Sequence, residues 1–596
     1  MPTEGKMSQN WNIRTLFVAF AMVMAFVVLG GLAWLIFDKF EKSDLVQTLS
    51  VVATEEAKST SVPTETPVKP LRTSIHDGLN VSDLPPGLPD DTVLVGSAEV
   101  ADIVFLLHPP RRIVKEWYVP VVSMGVGIDA LTSESLLKIL KGSTINWSEV
   151  GGISGPIRVV TGPFDQLQPI NELFNFLVID QFSSYEELFE TMSFQSGTIA
   201  LVPLDQVVPS VTALAIDGVD IVRGFGESRD WQFVDAVFAF PFTDRGKPAV
   251  ERLMDSPLPV TTTIVITGDI LPVRCSLTAL KASGDWASAL RGKTGEYLAA
   301  ADLTLGSYDG SIHDLGEHYG CVPGVNLSSP PEVIELLKYA GFDELTLATN
   351  HVGDCGISAP CGFRALLSTI KHLEDAEIEI AGAGLSLDQA FAPVIFTVGG
   401  TTFGVLAFDD VAAQNFSATS DSPGTAPLDD DYSDEIDSGN PAYFEPASAL
   451  SLNRFTKMIG DLSEVVDVVI VQVQTGTEDT HDPSGRSIKA LRAARSAGAT
   501  LIIGNQAHHV QAIEPLQEDG FIAYALGNFI FDQIHTPEHS QGYLLEATFW
   551  GDKLANLRFL PYEIKDRYRP VLVDGSVRLK ILNDVFEATK RLLPAN

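Results

Sequence analysis

The sequence predicts an α/β protein, and three observations carry that expectation. From about residue 91 onward, short β-branched apolar runs alternate with helix-patterned segments, the signature of strand–helix units. Several of those runs end in Asp, Asn or His, at the edge where open α/β sheets build their sites. A longer run, Leu16 to Phe37, holds no charge and is long enough to cross a hydrocarbon core of roughly 30 Å.

Length and charge bound the rest. A chain of 596 residues exceeds what one core supports, so several domains are expected. With 45% hydrophobic and 20% charged residues, most of it is globular. The formal net charge of −37 repels polyanions; it argues against nucleic acid as a partner and against docking on anionic lipid through a basic patch.

Lys6 and Arg14 precede the apolar run and Asp38, Lys39, Glu41 and Lys42 follow it. The run exceeds the apolar stretch of a secretory leader, and no A-x-A-like site closes it, so residues 1–42 read as a cytoplasmic N-terminus with a signal anchor at 16–37. A cleaved leader is the alternative; both place the bulk of the chain outside the cell membrane. Residues 43–91, rich in Ser, Thr, Pro and Glu, read as a disordered tether. The four cysteines, Cys275, Cys321, Cys355 and Cys361, have no CxxC spacing, which argues against a structural zinc site. In an exported domain they predict one or two disulfides, Cys355–Cys361 closing the shortest loop; a buried thiol is the alternative.

Residues 92–256 form the next predicted body. Strands are expected at Thr92–Val95, Ile103–Leu107, Tyr118–Ser123, Ile157–Thr161, Thr198–Pro203 and Val219–Val222. A helix is expected over Ser133 to Lys141, capped by Thr132 or Ser133 and stopped by Gly142. The segment from Val119 through Leu131–Gly142 to Ile145-Asn146-Trp147-Ser148-Glu149-Val150-Gly151-Gly152 resembles solute-binding proteins of the phosphate-binding type. That resemblance implies a periplasmic-binding-protein-like α/β domain, serving either to bind a small ligand or as a spacer. The family's anion-gripping loops have no clear counterpart, so no binding residue is carried over.

Residues 257–568 hold the candidate chemistry, and 569–596 read as a C-terminal extension. Val260–Thr267 is a strand ending in Gly268-Asp269, where glycine lets the backbone turn. Phe342–Ala348 ends in Thr349-Asn350-His351, followed by Asp354 and a helix from about Cys361 to Leu373. Asp354 either orients His351 or caps the next element. Val465–Val473 ends in Gln474-Thr475-Gly476-Thr477-Glu478; Ile488–Ala497 is a helix; Thr500–Ile503 delivers Gly504-Asn505-Gln506-Ala507-His508-His509; Ile522–Ala525 leads to Leu526-Gly527-Asn528-Phe529. Carboxylate, amide oxygen and imidazole are all competent ligands for first-row divalent metals.

These fragments, in this order, resemble the CapA (PgsA) family of capsule and poly-γ-glutamate synthesis proteins, which have a calcineurin-like metallophosphatase fold. Gly268-Asp269 stands at the family's opening G-D, and Asp302 to Asp309 at its D-L-x-x-x-N-L-E. Thr349 to Gly356 stands at N-N-H-x-x-D-x-G, and Gly382-Ala383-Gly384 at G-x-G. Gln474 to Glu478 stands at H-W-G-x-E, Gly504 to His508 at G-x-H-P-H, and Tyr524 to Phe531 at Y-S-L-G-N-F-x-F. The resemblance implies an α/β sandwich holding one or two divalent ions (Mn, Fe or Zn). Asp269, Asp309, Asn350, His351, Gln506 and His508 would be ligands, and Asp269, Asn350, His351 and His508 the catalytic set. Ser307, Asp354, Gln474, Glu478 and Asn528 would line the pocket. The departures weaken the set: Ser307 and the shorter Asp309 replace N-L-E, and Gln474 and Gln506 stand where the family has histidine. Gln offers a weaker oxygen in place of imidazole nitrogen.

Other groups read as structural. His535 and His539 flank Pro537 and are expected on a loop near the site mouth; His313 and His318 on a solvated loop; His509 facing away from His508. The acidic stretch around Asp429, Asp430 and Asp431 reads as a mobile surface loop. Two functions remain open: a metal-dependent hydrolase of the envelope, in synthesis, export or attachment of an anionic polymer with capsule-synthesis partners, or a non-catalytic scaffold or ligand sensor on a degenerate metal site.

Overall fold

A computed structural model describes residues 72–75, 93–94, 103–106, 111–163, 180–241, 247–430 and 447–593, except positions 193, 195, 196, 253, 323, 358–360, 413–415 and 517–519. The expected membrane segment at 16–37 lies outside the described residues. Among the described residues no helix is long and apolar enough to cross a membrane. Arg72 to Asn596 forms one compact unit of mixed α/β structure.

The N-terminal part of that unit is a nine-stranded sheet. It runs Val93–Leu94, Arg72–Ile75, Ile103–Leu106, Val234–Pro241, Arg111–Ser123, Thr198–Pro203, Arg158–Thr161 and Asp180–Gln181, with Val211–Ala213 also paired to Arg111–Ser123. Arg72–Ile75, inside the stretch read as a tether, is a strand because it pairs in parallel with Ile103–Leu106; composition averaged over the segment hid it. The helix Ser133–Leu140 forms as expected, with Thr132 accepting from Ser135 N. It buries Leu136, Ile139 and Leu140 against Val119, Val121 and Ile199. Val219–Val222 is not a strand. Gly218 and Gly224 take positive φ on either side, and Asp220 accepts from Val222 N and Arg223 N, so the segment turns and makes only the single bridges Ile216–Val219 and Asp220–Phe225.

Two further sheets carry the site. The first, eight-stranded, runs Glu379–Ala381, Glu344–Thr346, Leu303–Tyr308, Thr261–Ile270, Gln541–Trp550, Lys553–Lys565 and Arg569–Leu572, with Asn528–Ile530 beside Thr261–Ile270. The second, six-stranded, runs Val394–Val398, Thr401–Asp409, Val468–Gln474, Leu501–Asn505, Gly520–Ala523 and Ile513–Leu516. The site-bearing strands are β1 (Thr261–Ile270), β2 (Leu303–Tyr308), β3 (Glu344–Thr346), β4 (Thr401–Asp409), β5 (Val468–Gln474), β6 (Leu501–Asn505) and β7 (Asn528–Ile530).

Side-chain alternation explains how the sheets stack. Ile264 and Ile266 of β1 and Leu303 and Leu305 of β2 share one core with Phe403, Val405, Val468, Ile470, Leu501 and Ile503 of the other sheet. The intervening residues point outward. Val265 packs with Leu336, Leu366 and Leu373 of the helices over the first sheet. Val469, Val471 and Ile502 pack with Phe455, Ile459 and Leu491 of the helices over the second. Strands buried on both faces read as continuous apolar runs, as these do. The arrangement is a four-layer α/β sandwich. Helix Gly575–Leu592 adds Ile581, Leu582, Val585 and Phe586 to its central core.

Polar ties join the sandwich to the nine-stranded sheet. Asn556 Oδ1 accepts from Ala213 N at 3.2 Å, Trp550 Nε1 donates to Val222 O at 2.9 Å, and Arg558 bonds Asp129 at 2.9 Å. Within the central core, Gln472 Nε2 donates to Glu344 Oε2 at 2.8 Å across the sheets. Burial pushes the Glu344 carboxyl well up, against the bond from Gln472.

The second sheet's outer layer hides an ion cluster. Arg486 is buried, its Nε 3.0 Å from Asp410 Oδ2 and its Nη2 3.5 Å from Asp429 Oδ2. Asp429 and Asp430 therefore do not lie on the mobile loop expected of them. Asp430 accepts from Asn453 N and Arg454 N at the start of helix Asn453–Ser463, and Asp429 accepts from Ser451 N. Asp431 lies outside the described residues. Arg486→Met leaves Asp410 buried without its cation and should cost about 3–5 kcal/mol. Urea unfolding checks this, and the Arg486→Met/Asp410→Leu double variant should recover much of the loss.

Candidate functional site

The carboxyl ends of the parallel strands converge on one edge of the sandwich. Asp269 lies in register with Ser307 on β2 and with Asn528 on β7. From the facing sheet come Gln474 at the end of β5 and Asn505 at the end of β6, also in register. The loops that follow bring in Asp309, Asn350, His351, Glu478, Gln506 and His508.

Glycine permits this convergence, though not by the turn expected of it. Strand β1 continues past Gly268 to Ile270, with a register shift against β2 between Ile266 and Asp269. A Cβ at Gly268 would stand 1.8 Å from Gly527 O, and Asp269 N donates to that same carbonyl at 3.1 Å. Gly268 thus serves close approach of two backbones. Gly504 has the same role, since a Cβ there would stand 2.2 Å from Tyr524 O. Gln506 and His508 take φ of 88° and 55°, a region unusual for residues with side chains, and so turn the loop after β6 back toward Asp269.

Asp269 Oδ2 lies 3.6 Å from His508 Nδ1, and that nitrogen is 2.9 Å from Asn528 Oδ1. On the other side, His351 Nδ1 bonds Asp354 Oδ2 at 2.7 Å, and the same oxygen accepts from Leu327 N. Asp354 therefore orients His351; the helix Phe363–Asp375 begins at Gly362 with no side-chain cap. The Cys355–Cys361 disulfide closes the loop just beyond, and Cys275–Cys321 is the second bridge. Gln474 Nε2 donates to Gln506 Oε1 at 2.6 Å, and Gln506 Nε2 donates to Glu478 Oε1 at 2.9 Å.

Electrostatics set this edge apart. Asp269 and Asp309 are 2% and 0% exposed, yet Asp269 Oδ1 and both oxygens of Asp309 accept no hydrogen bond. Ser307 Oγ, Asn350 Oδ1 and Gln474 Oε1 are likewise buried and unpartnered. Burial and the neighbouring Asp309 charge push Asp269 up to about 7, against the pull of His508. Burial also raises Asp309, against the pull of His351. Burial would lower His351, but Asp309 and Asp354 outweigh it and lift the imidazole to about 9. Two desolvated carboxylates ringed by unpaired oxygens make a strongly electronegative site that the His351 imidazole only partly offsets, and the donor types present suit a divalent ion. These residues fit such an ion.

The sequence-predicted set is thereby brought together, with Gln474 rather than Gln506 holding the unengaged amide oxygen. Asp409 and Asp410 were missed. Asp409 ends β4 in register with Gln474 and is pushed up to about 6 by burial, and Asp410 bonds Thr475 Oγ1 at 3.2 Å. The run Phe403–Phe408 closing on two acids was the available signal. His313 does not lie on a solvated loop; it is fully buried, its N bonded to Ser329 O, its ring 4.9 Å from that of His318.

Residues 263–533 match the family described as bacterial capsule synthesis protein PGA_cap. That stretch of the chain is similar to the capsule-synthesis family. The PGA biosynthesis protein CapA of Bacillus subtilis (strain 168) is 29% identical to this chain over 237 residues, 39% of this chain and 54% of that one. The capsule biosynthesis protein CapA of Bacillus anthracis is 27% identical over 239 residues, 40% and 52% of the two chains. The chain thus spans about half the length of the relatives it matches. Among solved structures, PstS from Borrelia burgdorferi covers 31% of this chain and 92% of its own at 15% identity and a TM-score of 0.25. A hypothetical protein from Thermus thermophilus covers 51% and 99% at 13% identity and a TM-score of 0.29. Scores this low carry no argument about fold or ligand.

Two outcomes follow from this geometry. Gly268→Ala forces β1 off Gly527 and should cost about 1–3 kcal/mol or more, read by thermal unfolding. In metal-free protein the raised Asp269 holds its proton in the folded state above the ordinary value of 3.8, so its contribution to stability falls as pH rises from about 4 to about 7. Asp269→Asn should remove that slope and be the more stable form at neutral pH, as denaturant midpoints across this range will show.

Proposed function

We propose that this protein acts in capsule or poly-γ-glutamate-type polymer synthesis, export or attachment, and that its sheet-edge cavity holds one divalent ion. The single observation that carries the ion is the pair Asp269 and Asp309: buried carboxylates of which Asp269 Oδ1 and both Asp309 oxygens accept no hydrogen bond. Asp269, Asp309, Asn350, His351 and His508 would hold Mn, Fe or Zn; the role in polymer assembly rests on the family and on the CapA relatives. When bound, the ion would act as a Lewis acid on a phosphoryl or carbonyl oxygen.

The chain's own residues would supply the remainder. Asp354 fixes the imidazole of His351 through Nδ1, leaving Nε2 to the cavity chemistry, and Asn528 fixes His508 in the same manner. The proton that the carboxylates hold on His351 must leave before its ring can ligate an ion, so cation affinity should fall with decreasing pH. Attachment to the cell membrane by residues 16–37, with the bulk extracytoplasmic, is supported by the uncharged run and by the engagement of all four cysteines in disulfides.

One observation favours a non-catalytic envelope scaffold instead. Gln474, Gln506 and Glu478 are bonded in a chain, so the positions where the family has histidines satisfy one another. A two-ion displacement, which needs both metals, has a poor second set here.

Metal analysis of the full chain, purified in detergent, separates these readings. We expect about one equivalent of Mn, Fe or Zn that is lost in the Asp269→Ala/His351→Ala double variant. Turnover of a phosphodiester or γ-glutamyl amide that disappears with it supports the hydrolase; metal without turnover supports the scaffold. Absence of any Asp269-dependent metal overturns the ion.

A further inference from the structure

Beside the sheet-edge site lies a second cluster that neither the family motifs nor the proposed chemistry uses. Asp479, His509 and His539 each offer a ligand atom, and these atoms lie within 4.8 Å of one another. Among the described residues this is the close-set His/carboxylate triple able to hold an ion; Asp269, Asp309, His351 and His508 are spread more widely. His509 and His539 are 8% and 3% exposed, and Asp479 is open to solvent. They line a cavity of about 530 Å³ together with His481, His535 and Glu538. Four of the chain's eleven histidines thus face one cavity in a strongly acidic protein.

The hydrogen bonds within the cluster leave one buried imidazole nitrogen without a partner. His539 Nε2 lies 2.6 Å from Asp479 Oδ1, so that nitrogen carries a proton and Nδ1 is an acceptor. His539 Nδ1 faces both Thr536 Oγ1 at 2.8 Å and His509 Nε2 at 3.3 Å. If His509 Nε2 donates there, its Nδ1 is a lone pair buried with no partner. An ion held between Asp479 Oδ1 and His539 Nε2 would take the place of the proton they share, and Asp479, His509 and His539 offer ligand atoms within 4.8 Å of one another.

Chain geometry explains why the cluster adjoins the first site without sharing it. Glu478 and His508 serve the first site, and their immediate successors Asp479 and His509 serve the second. Asp479 takes φ of 62°, and its N donates to Ala507 O, which ties the two loops together. Asn528 joins the sites, accepting from or facing His508 Nδ1 through Oδ1 and donating to His539 O through Nδ2 at 3.0 Å.

We propose that Asp479, His509 and His539 bind a zinc-class divalent ion at a site separate from the Asp269 cavity. Two imidazoles and one carboxylate leave a coordination position open, and the donor set suits Zn²⁺ over Ca²⁺ or Mg²⁺. The ion clamps the loops after β5 and β6 to the 534–540 segment, and so positions Glu478 and His508.

The test uses untagged full chain in detergent, stripped of metal and titrated with Co²⁺, whose visible d–d bands report nitrogen ligation. To separate the sites, the titration is run in the Asp269→Asn/Asp309→Asn background. There, one equivalent of Co²⁺ with those bands should remain. Asp479→Asn, a surface change tolerant of positive φ, should weaken it roughly tenfold or more while the circular dichroism spectrum stays unchanged, and His509→Gln should abolish the bands. No Co²⁺ bound in the background variant, or binding indifferent to Asp479→Asn and His509→Gln, overturns the proposal and leaves the reading of the Asp269 cavity untouched.

Discussion

Two carboxylates driven into the sandwich with three of their four oxygens unpartnered are the constraint on which the site depends. Asp269 and Asp309 lie where β1 and β2 run out, buried by the same packing that stabilises the sheets. Leaving such groups charged and unpaired is among the costliest things a protein interior can do. They are either held protonated, as burial makes Asp269 near neutral pH, or balanced by a cation. The surrounding unpartnered oxygens of Ser307, Asn350 and Gln474 favour the cation, since each can turn a lone pair toward it.

The scaffold keeps that arrangement rigid. Alternating side chains lock β1, β4, β5 and β6 between a shared central core and two outer helical layers, so strand ends cannot drift independently. Gly268 and Gly504 let backbone pack on backbone directly beneath the site. The buried Arg486–Asp410 pair reaches Thr475, and the Cys355–Cys361 bridge follows the His351 loop, so both halves of the rim are braced from outside the cavity. The positive φ of Gln506 and His508 is the strain accepted in exchange.

Much of this was legible in the sequence. β-branched runs gave the positions of β1, β5 and β6, and the polar residues at their ends gave Asp269, His508 and Gln474, because strand order places every such end on one edge. What stayed hidden depends on contacts distant in the chain. Gly268 read as a turn residue because sequence does not show Gly527 pressed against it. His313 read as solvated because the Ser328–Ser329 strand that covers it follows only after an irregular loop. Arg72–Ile75 vanished into a polar average, and Asp429 and Asp430 looked like loop acids until the start of helix Asn453–Ser463 supplied their partners. His509 and His539, thirty positions apart and flanking different elements, meet only in three dimensions.

Anomalous diffraction from crystals soaked in Mn²⁺ tests the central claim most directly. The account predicts a peak within bonding distance, about 2.0–2.2 Å, of oxygens from both Asp269 and Asp309. An ordered cavity with no peak there, its two carboxyl groups protonated and bonded to each other or to water, would contradict it.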